Sequence, residues 1–193
     1  TLWAGLTLPL VQALMSRQVD VVIAADLMDD LDSFRHIQIA SEPFILALPK
    51  SYPVPHGPLT LEGLARGLAL IRYSARSSIG IRIDRHLRRC SVSAPRRLEI
   101  DSSDTLFAMV AAGVGWALTT PLCVLHGRPD PSAVRLLPLP GPGFARQIVM
   151  IARHGEYQDL VDRLASDARE ALRSICLPAI RRSMPWIADE IVL

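Results

Sequence analysis

Apolar positions along this chain follow two alternating rhythms, a helical spacing with polar residues between and short unbroken runs rich in Val, Ile and Leu. The stretch "PLVQALMSRQ" sets Leu10, Val11 and Leu14 on one face, with Pro9 early in the first turn and Thr7 as its expected N-cap. "VDVVIAA" follows as a strand apolar on both faces, the pattern of a buried parallel strand, and ends at Asp26 in the polar loop "DLMDDLDS". "FRHIQIA" alternates, and "EPFILALPK" is an apolar strand closed by Pro49. The proline-rich "SYPVPHGPLTLEGLARG" reads as a crossover followed by a short helix from Thr60.

The second half repeats the alternation. "LALIRY" is a strand, and Ile79, Ile83 and Leu87 mark one face of a helix capped by Ser77 or Ser78. "RRLEI" and "VGWALTT" are strands around the helix "DSSDTLFAMVAAG", whose stripe is Leu106, Met109 and Val110 and whose C-cap is Gly113. Pro121 opens a short helix, "VRLLPLP" makes an extended edge, and "RQIVMIA" is the last clear strand. "GEYQDLVDRLASDAREALRSI" is amphipathic through Leu160, Leu164, Ala168 and Leu172. The end, "CLPAIRRSMPWIADEIVL", is interrupted by Pro178 and Pro185 and is expected either to pack over an exposed surface or to fray.

Strands alternating with helices predict a mostly parallel sheet, with any ligand at the carboxyl ends of the strands. Composition adds exclusions. Half of the 193 residues are hydrophobic, enough for a packed core. The net charge is +2 and Lys50 is the single lysine, which does not announce a nucleic-acid face. Cys90, Cys123 and Cys176 are odd in number and lack metal spacing, which suits a reducing compartment. No apolar run approaches the ~20 residues of a membrane span, and the first residue is Thr1, so an upstream portion is expected to be missing.

Three expected helix starts carry hydroxyls, at Thr7, at Ser77 and Ser78, and at Ser102 and Ser103. Helix N-termini offer free N–H donors and a partial positive charge, so starts that converge would form an anion site without a lysine. Ser and Thr also cap helices that bind nothing, and only their repetition favours a site.

The segments "LVQALMSRQVDVVIAAD", "EPFILALPKSYP" and "DSSDTLFAMVAAGVGWALTTPL" resemble the effector-binding domain of LysR-type transcriptional regulators, in order, from Thr1 to about Ser174. The resemblance implies an α/β fold of two lobes, of the type II periplasmic-binding-protein kind, with a small-molecule effector in the cleft. It implies first-lobe residues 1–58, second-lobe residues 59–139, a return over 140–176 and a tail over 177–193. Carried onto this sequence, Thr7, Ser77, Ser78, Ile79, Ser102 and Ser103 would face the effector, with Thr119 and Thr120 nearby. Arg76 could grip a carboxylate bidentately. The family's DNA-binding helix-turn-helix is absent from this chain, as are the first strand, helix and strand of lobe one, so DNA would be reached only through an N-terminal module. A homodimer or tetramer in the cytoplasm, no cofactor, no metal and marginal stability from an exposed edge are the further expectations.

Competing readings have less in the sequence. "GVG" leaves a helix and enters a strand, the reverse of a dinucleotide fingerprint. His36, His56, His86, His126 and His154 lack ligand spacing. The arginines of "RIDRHLRR" lie off an apolar stripe, as on a solvated face. A stand-alone solute-binding protein of the same fold would need a secretion signal. An enzyme on this scaffold would need a base in the cleft, with Asp101 and Asp104 as candidates.

Overall fold

The computed structural model describes residues 1–25, 33–53, 57–95 and 98–193; the polar loop from Asp26, His56 and the two arginines opening "RRLEI" lie outside them. Its elements in order are α1 (Thr7–Met15), β1 (Val21–Ala25), β2 (Phe34–Pro43), β3 (Ile45–Pro49), α2 (Leu61–Gly67), β4 (Ala69–Tyr73), α3 (Ser78–Arg89), β5 (Leu98–Ile100), α4 (Ser103–Ala111), β6 (Gly115–Thr119), α5 (Pro121–Gly127), β7 (Val134–Pro138), β8 (Ala145–Arg153), α6 (Gln158–Ala171) and α7 (Leu177–Ser183). A π-helical turn, Leu172–Cys176, joins α6 to α7, and a 3₁₀ turn, Ala188–Glu190, follows.

The strands form two sheets, β1-β8-β2 and β5-β4-β6-β3-β7. The pairing corrects the expectation of mostly parallel sheets. Only β4 with β5 and β4 with β6 run parallel, while β1–β8, β2–β8, β3–β6 and β3–β7 are antiparallel. The physical reason lies at Phe44 and Phe144, where the chain crosses between sheets twice in opposite directions, so the strands on either side of each crossing run against their neighbours. Phe44 donates its N–H to the Phe144 carbonyl at 2.9 Å, and their rings stack with centroids 4.0 Å apart.

β1 is likewise not a buried parallel strand. Among the described residues it pairs with β8 alone, and antiparallel; α1 covers its Val22 and Ala24 face, while Ile23 on the opposite face is 51% exposed. A short run of Val and Ile does not distinguish a strand buried on two faces from one buried on one.

Two apolar clusters sandwich the first sheet. Val11 and Leu14 of α1 pack with Val22, Ala24, Val149 and Ile151 on one face, and Val161 and Ala165 of α6 pack with Ile39, Met150 and Ala152 on the other. Of the expected α6 stripe, Ala168 and Leu172 pack against the second of these clusters, whereas Leu160 and Leu164 stay exposed and Val161 and Ala165 take their place. The main core surrounds the second sheet, centred on β3 and β6, both buried along their whole length. Trp116 is fully buried there and donates its indole N–H to the Leu68 carbonyl at 3.1 Å.

The helix ends follow local chemistry. Thr60, Ser77 and Ser102 each accept a backbone N–H from three residues ahead, at Gly63, Gly80 and Thr105. Gly113, one past the C-cap Ala112, takes φ +77°, the left-handed turn that ends α4. Thr7 does not cap α1. Leu6 holds the extended N-cap position and Thr7 is already the first helical residue, so its hydroxyl makes no cap bond.

α3 is fastened to the crossing strands. Arg82 donates to the Ala145 carbonyl at 2.9 Å, and the His86 ring stacks on Phe144 at 3.9 Å between centroids. Burial and the nearby Arg89 guanidinium hold the His86 imidazole below its ordinary titration range.

Candidate functional site

A cluster of buried polar side chains gathers where β4 and β6 end. The two strands are parallel neighbours, so their carboxyl ends open to the same side, as ligand sites in α/β sheets do. Tyr73, the last residue of β4, reaches the Ser103 hydroxyl at the start of α4 (3.1 Å) and the Thr119 hydroxyl at the end of β6 (3.2 Å). Burial pushes the Tyr73 phenol well above its usual range, so it stays protonated and can donate to one of the two.

Thr120 follows at the N-cap of α5, fully buried, and its hydroxyl has no hydrogen-bond partner among the described residues. Ser74, also buried, has an unpartnered hydroxyl as well, although its backbone is well used. Its carbonyl accepts from the Ser77 N–H (3.0 Å) and hydroxyl (2.8 Å), and its N–H donates to the Ile100 carbonyl.

Of the residues expected at a site, the structure brings Ser103 and Thr119 together through Tyr73 and sets Ser77 one turn from Ser74. Ser78 is half-buried in the first turn of α3. Ile79 lies in the main core. Ser102 is exposed, donates to the Asp104 carboxylate and lies 2.8 Å from the Thr105 hydroxyl. Arg76 is exposed and pairs with Asp101 at 3.3 Å, linking the loops that open α3 and α4. Thr7 stands apart on α1, which packs on the first sheet.

Both candidate bases, Asp101 and Asp104, are engaged by neighbouring side chains. The Ser102 hydroxyl and the Thr105 N–H hold the Asp104 carboxyl below its usual range, and Asp101 is engaged by Arg76. Among the described residues no group of three or more His, Cys, Asp or Glu is placed to hold a metal. No helix among them is long and apolar enough to cross a membrane.

Sequence reasoning missed the polar group that ties the cluster to the crossings. Glu42, 0% exposed at the end of β2, faces Arg146 of β8 at 2.7 Å and accepts the Leu122 N–H of α5 at 2.9 Å. Arg146 also donates to the Cys123 sulfur at 3.4 Å. Glu42 just before the apolar run Phe44–Leu48 and Arg146 just before Ile148–Ala152 were the available signal, since charges beside buried strands are retained mostly when paired. Tyr73 carried no signal in the sequence, because both partners are distant along the chain.

Two hollows lie away from this cluster. One of about 670 Å³ sits between the N-terminal segment and α1, lined by Trp3, Gly5, Gln12 and Gln18 among others. The second, about 280 Å³, adjoins the end of α2. Neither is lined by a hydroxyl of the cluster, so the convergence of side chains rather than empty volume marks the site.

Removing the Tyr73 hydroxyl tests that convergence. Tyr73→Phe strands two buried hydroxyls at once and is expected to cost about 1–3 kcal/mol of stability in urea unfolding. A variant as stable as the parent would show that the Tyr73 hydrogen bonds contribute nothing net.

With the two-sheet architecture and its hydroxyl-lined strand ends described, the comparison with known proteins is unambiguous: residues 4–174 match the LysR substrate binding domain, and the chain belongs to that family, one of transcriptional regulators. The fold is accordingly the two-lobed, type II periplasmic-binding-protein-like α/β fold. Among curated proteins, the HTH-type transcriptional regulator CatR of Pseudomonas putida is 29% identical over 159 residues, 81% of this chain and 53% of CatR. Among solved structures, a C206 mutant of Corynebacterium glutamicum OxyR superposes with a TM-score of 0.76 at 19% identity, over 93% of this chain and 56% of that one. The regulatory domain of CcmR from Synechocystis PCC6803, solved in complex with 2-PG, gives 0.73 at 15% identity, over 88% of this chain and 83% of that one. The chain thus spans about half the length of CatR and of the OxyR chain.

Proposed function

We propose that this chain is the effector-sensing part of a LysR-type regulator and that it takes a small carboxylate between its lobes. The observation that carries the proposal is the pair of unpartnered hydroxyls, Thr120 and Ser74, buried at the ends of the parallel strands β6 and β4. Each costs desolvation energy that no hydrogen bond among the described residues returns, and a buried unsatisfied polar group of this kind calls for a functional explanation such as a ligand. The starts of α3 and α4, with their N–H groups and hydroxyl caps, stand beside them and suit an anionic ligand. That the fold of CcmR holds a small ligand supports the same reading.

On this proposal the first lobe is the three-stranded sheet with α1 and α6 and the second is the five-stranded sheet with α2 to α5, divided at Phe44 and Phe144 rather than after residues 58 and 139, because β3 pairs with β6 and β7. Thr7 would contribute from the first lobe, and Ser77, Ser78, Ser102, Ser103, Thr119 and Thr120 from the second, with Arg76 at the rim and Ile79 behind. A ligand reaching Thr119 and Thr120, both 0% exposed, must open the arrangement seen here. That difference in contact is what lets it shift the equilibrium between lobe arrangements. DNA would be engaged through a helix-turn-helix elsewhere in the protein, in a cytoplasmic homodimer or tetramer.

The test is a thermal-shift screen against small organic and aromatic acids, with Thr120→Val alongside. A ligand at about 100 times its Kd adds about 2.7 kcal/mol of stability. Thr120→Val should gain about 1 kcal/mol unliganded, by trading a stranded hydroxyl for a methyl, and lose the response to acids. If no acid stabilises the parent, or if Thr120→Val responds as the parent does, the carboxylate reading fails.

A further inference from the structure

The family match ends at residue 174, yet the chain beyond it stays on the molecule. The π-helical turn leads off α6, which packs on the first sheet, and α7 then carries the chain to the other lobe. Ile180 and Met184, both 0% exposed, and Ile187 and Ala188 enter the core around the second sheet, with α7 lying against α5. The chain then returns. Val192 pairs antiparallel with Ser41 of β2, its N–H to the Ser41 carbonyl at 3.0 Å and the Ser41 N–H to its own carbonyl at 2.7 Å. Ser41 is the residue before Glu42, at the first crossing between the sheets.

The geometry points to a strap: the segment from Leu177 to Leu193 fastens the two lobes at one relative angle, and the Ser41–Val192 bridge is its closure. The segment leaves one lobe, is anchored in the core of the other and ends on the first again. The two crossings at Phe44 and Phe144, with the Glu42–Leu122, Arg146–Cys123 and Arg82–Ala145 hydrogen bonds gathered beside them, form a hinge about which the lobes can turn, and a further attachment through α7 and the chain end removes that freedom. The closure is the weakest of the ties, two backbone hydrogen bonds from a residue that is itself 58% exposed. It can therefore open without disturbing the apolar anchor at Ile180 and Met184. This inference does not depend on which ligand, if any, the strand ends take.

Spin labels on ketone-bearing residues introduced at exposed Leu160 and Arg88, one in each lobe, leave the three cysteines untouched and report the interlobe distance by pulsed electron resonance. The distribution is measured in the 193-residue chain, in a chain lacking Val192 and Leu193, and in Val192→Pro, which removes the N–H that bonds Ser41. Neither change touches a buried side chain. A narrow distribution in the parent that broadens in both variants, with far-UV circular dichroism unchanged, is the expected result. Distributions that keep the parent's width in either variant overturn the strap. Broadening accompanied by loss of helical signal also overturns it, because the segment would then be an ordinary piece of the fold rather than a tie between lobes.

Discussion

Replacing Glu42 by alanine is expected to destabilise the chain by about 3–5 kcal/mol, seen as a lower urea midpoint, because it leaves Arg146 buried without its counter-charge. Glu42 is fully buried, and the same carboxylate also accepts the Leu122 N–H, so the substitution strands a backbone donor at the start of α5 as well. Against a total stability of about 5–15 kcal/mol for an ordinary domain, the loss would bring the protein close to unfolding. The companion change separates charge from packing. Arg146→Met in the Glu42→Ala background removes the orphaned guanidinium, and the double variant should recover much of the loss. A single variant within about 1 kcal/mol of the parent would mean that water reaches Arg146 and that the pair contributes no more than a surface one.

The second large effect is expected at Gly80, in the first turn of α3. A Cβ there would lie 2.1 Å from the Ser74 carbonyl oxygen and 2.7 Å from that of Tyr73, both backbone atoms with nowhere to go. In an exposed helix Gly→Ala gains about 1 kcal/mol. Here the sign reverses, and Gly80→Ala should cost about 3 kcal/mol, at the upper end of overpacking effects, and push α3 away from the end of β4. Because the Ser74 carbonyl receives both Ser77 bonds, any response to an acid should disappear with it. Gly143→Ala, where a Cβ meets nothing within 4 Å, is the matched control and should be nearly neutral. A gain in melting temperature for Gly80→Ala would refute the close approach.

What the sequence disclosed was local. The Ile79, Ile83 and Leu87 stripe, the Thr60, Ser77 and Ser102 caps and the all-apolar strand before Thr119 are settled by neighbours within a turn or a few residues, and the structure agrees with each. What it hid was decided at a distance. The direction of β1 depends on β8, over a hundred residues later, and a Val-rich run reads the same in either orientation. In the first turns of α6 apolar residues one position apart were both present, and only packing against distant β2 and β8 selects Val161 and Ala165 over Leu160 and Leu164. At the site, hydroxyls at helix starts were visible, but not which of them would be joined: Tyr73 settles that for Ser103 and Thr119, and Glu42 does the equivalent for the start of α5.

The order β1-β8-β2 also bears on how the molecule is made. β1 and β2 leave the ribosome well before β8, neither pairs with the other, and the strand with which both pair is synthesised about a hundred residues later. The strands of the five-stranded sheet come from one continuous stretch between Ile45 and Pro138, so they can pair while the first two strands still wait, although Ile180 and Met184 join their core only later. Long-range pairing of that kind is slow, and unpaired strands are exposed to aggregation in the interval. The late arrival of β8 therefore makes completion of the first sheet the expected slow and vulnerable step in the biogenesis of this protein.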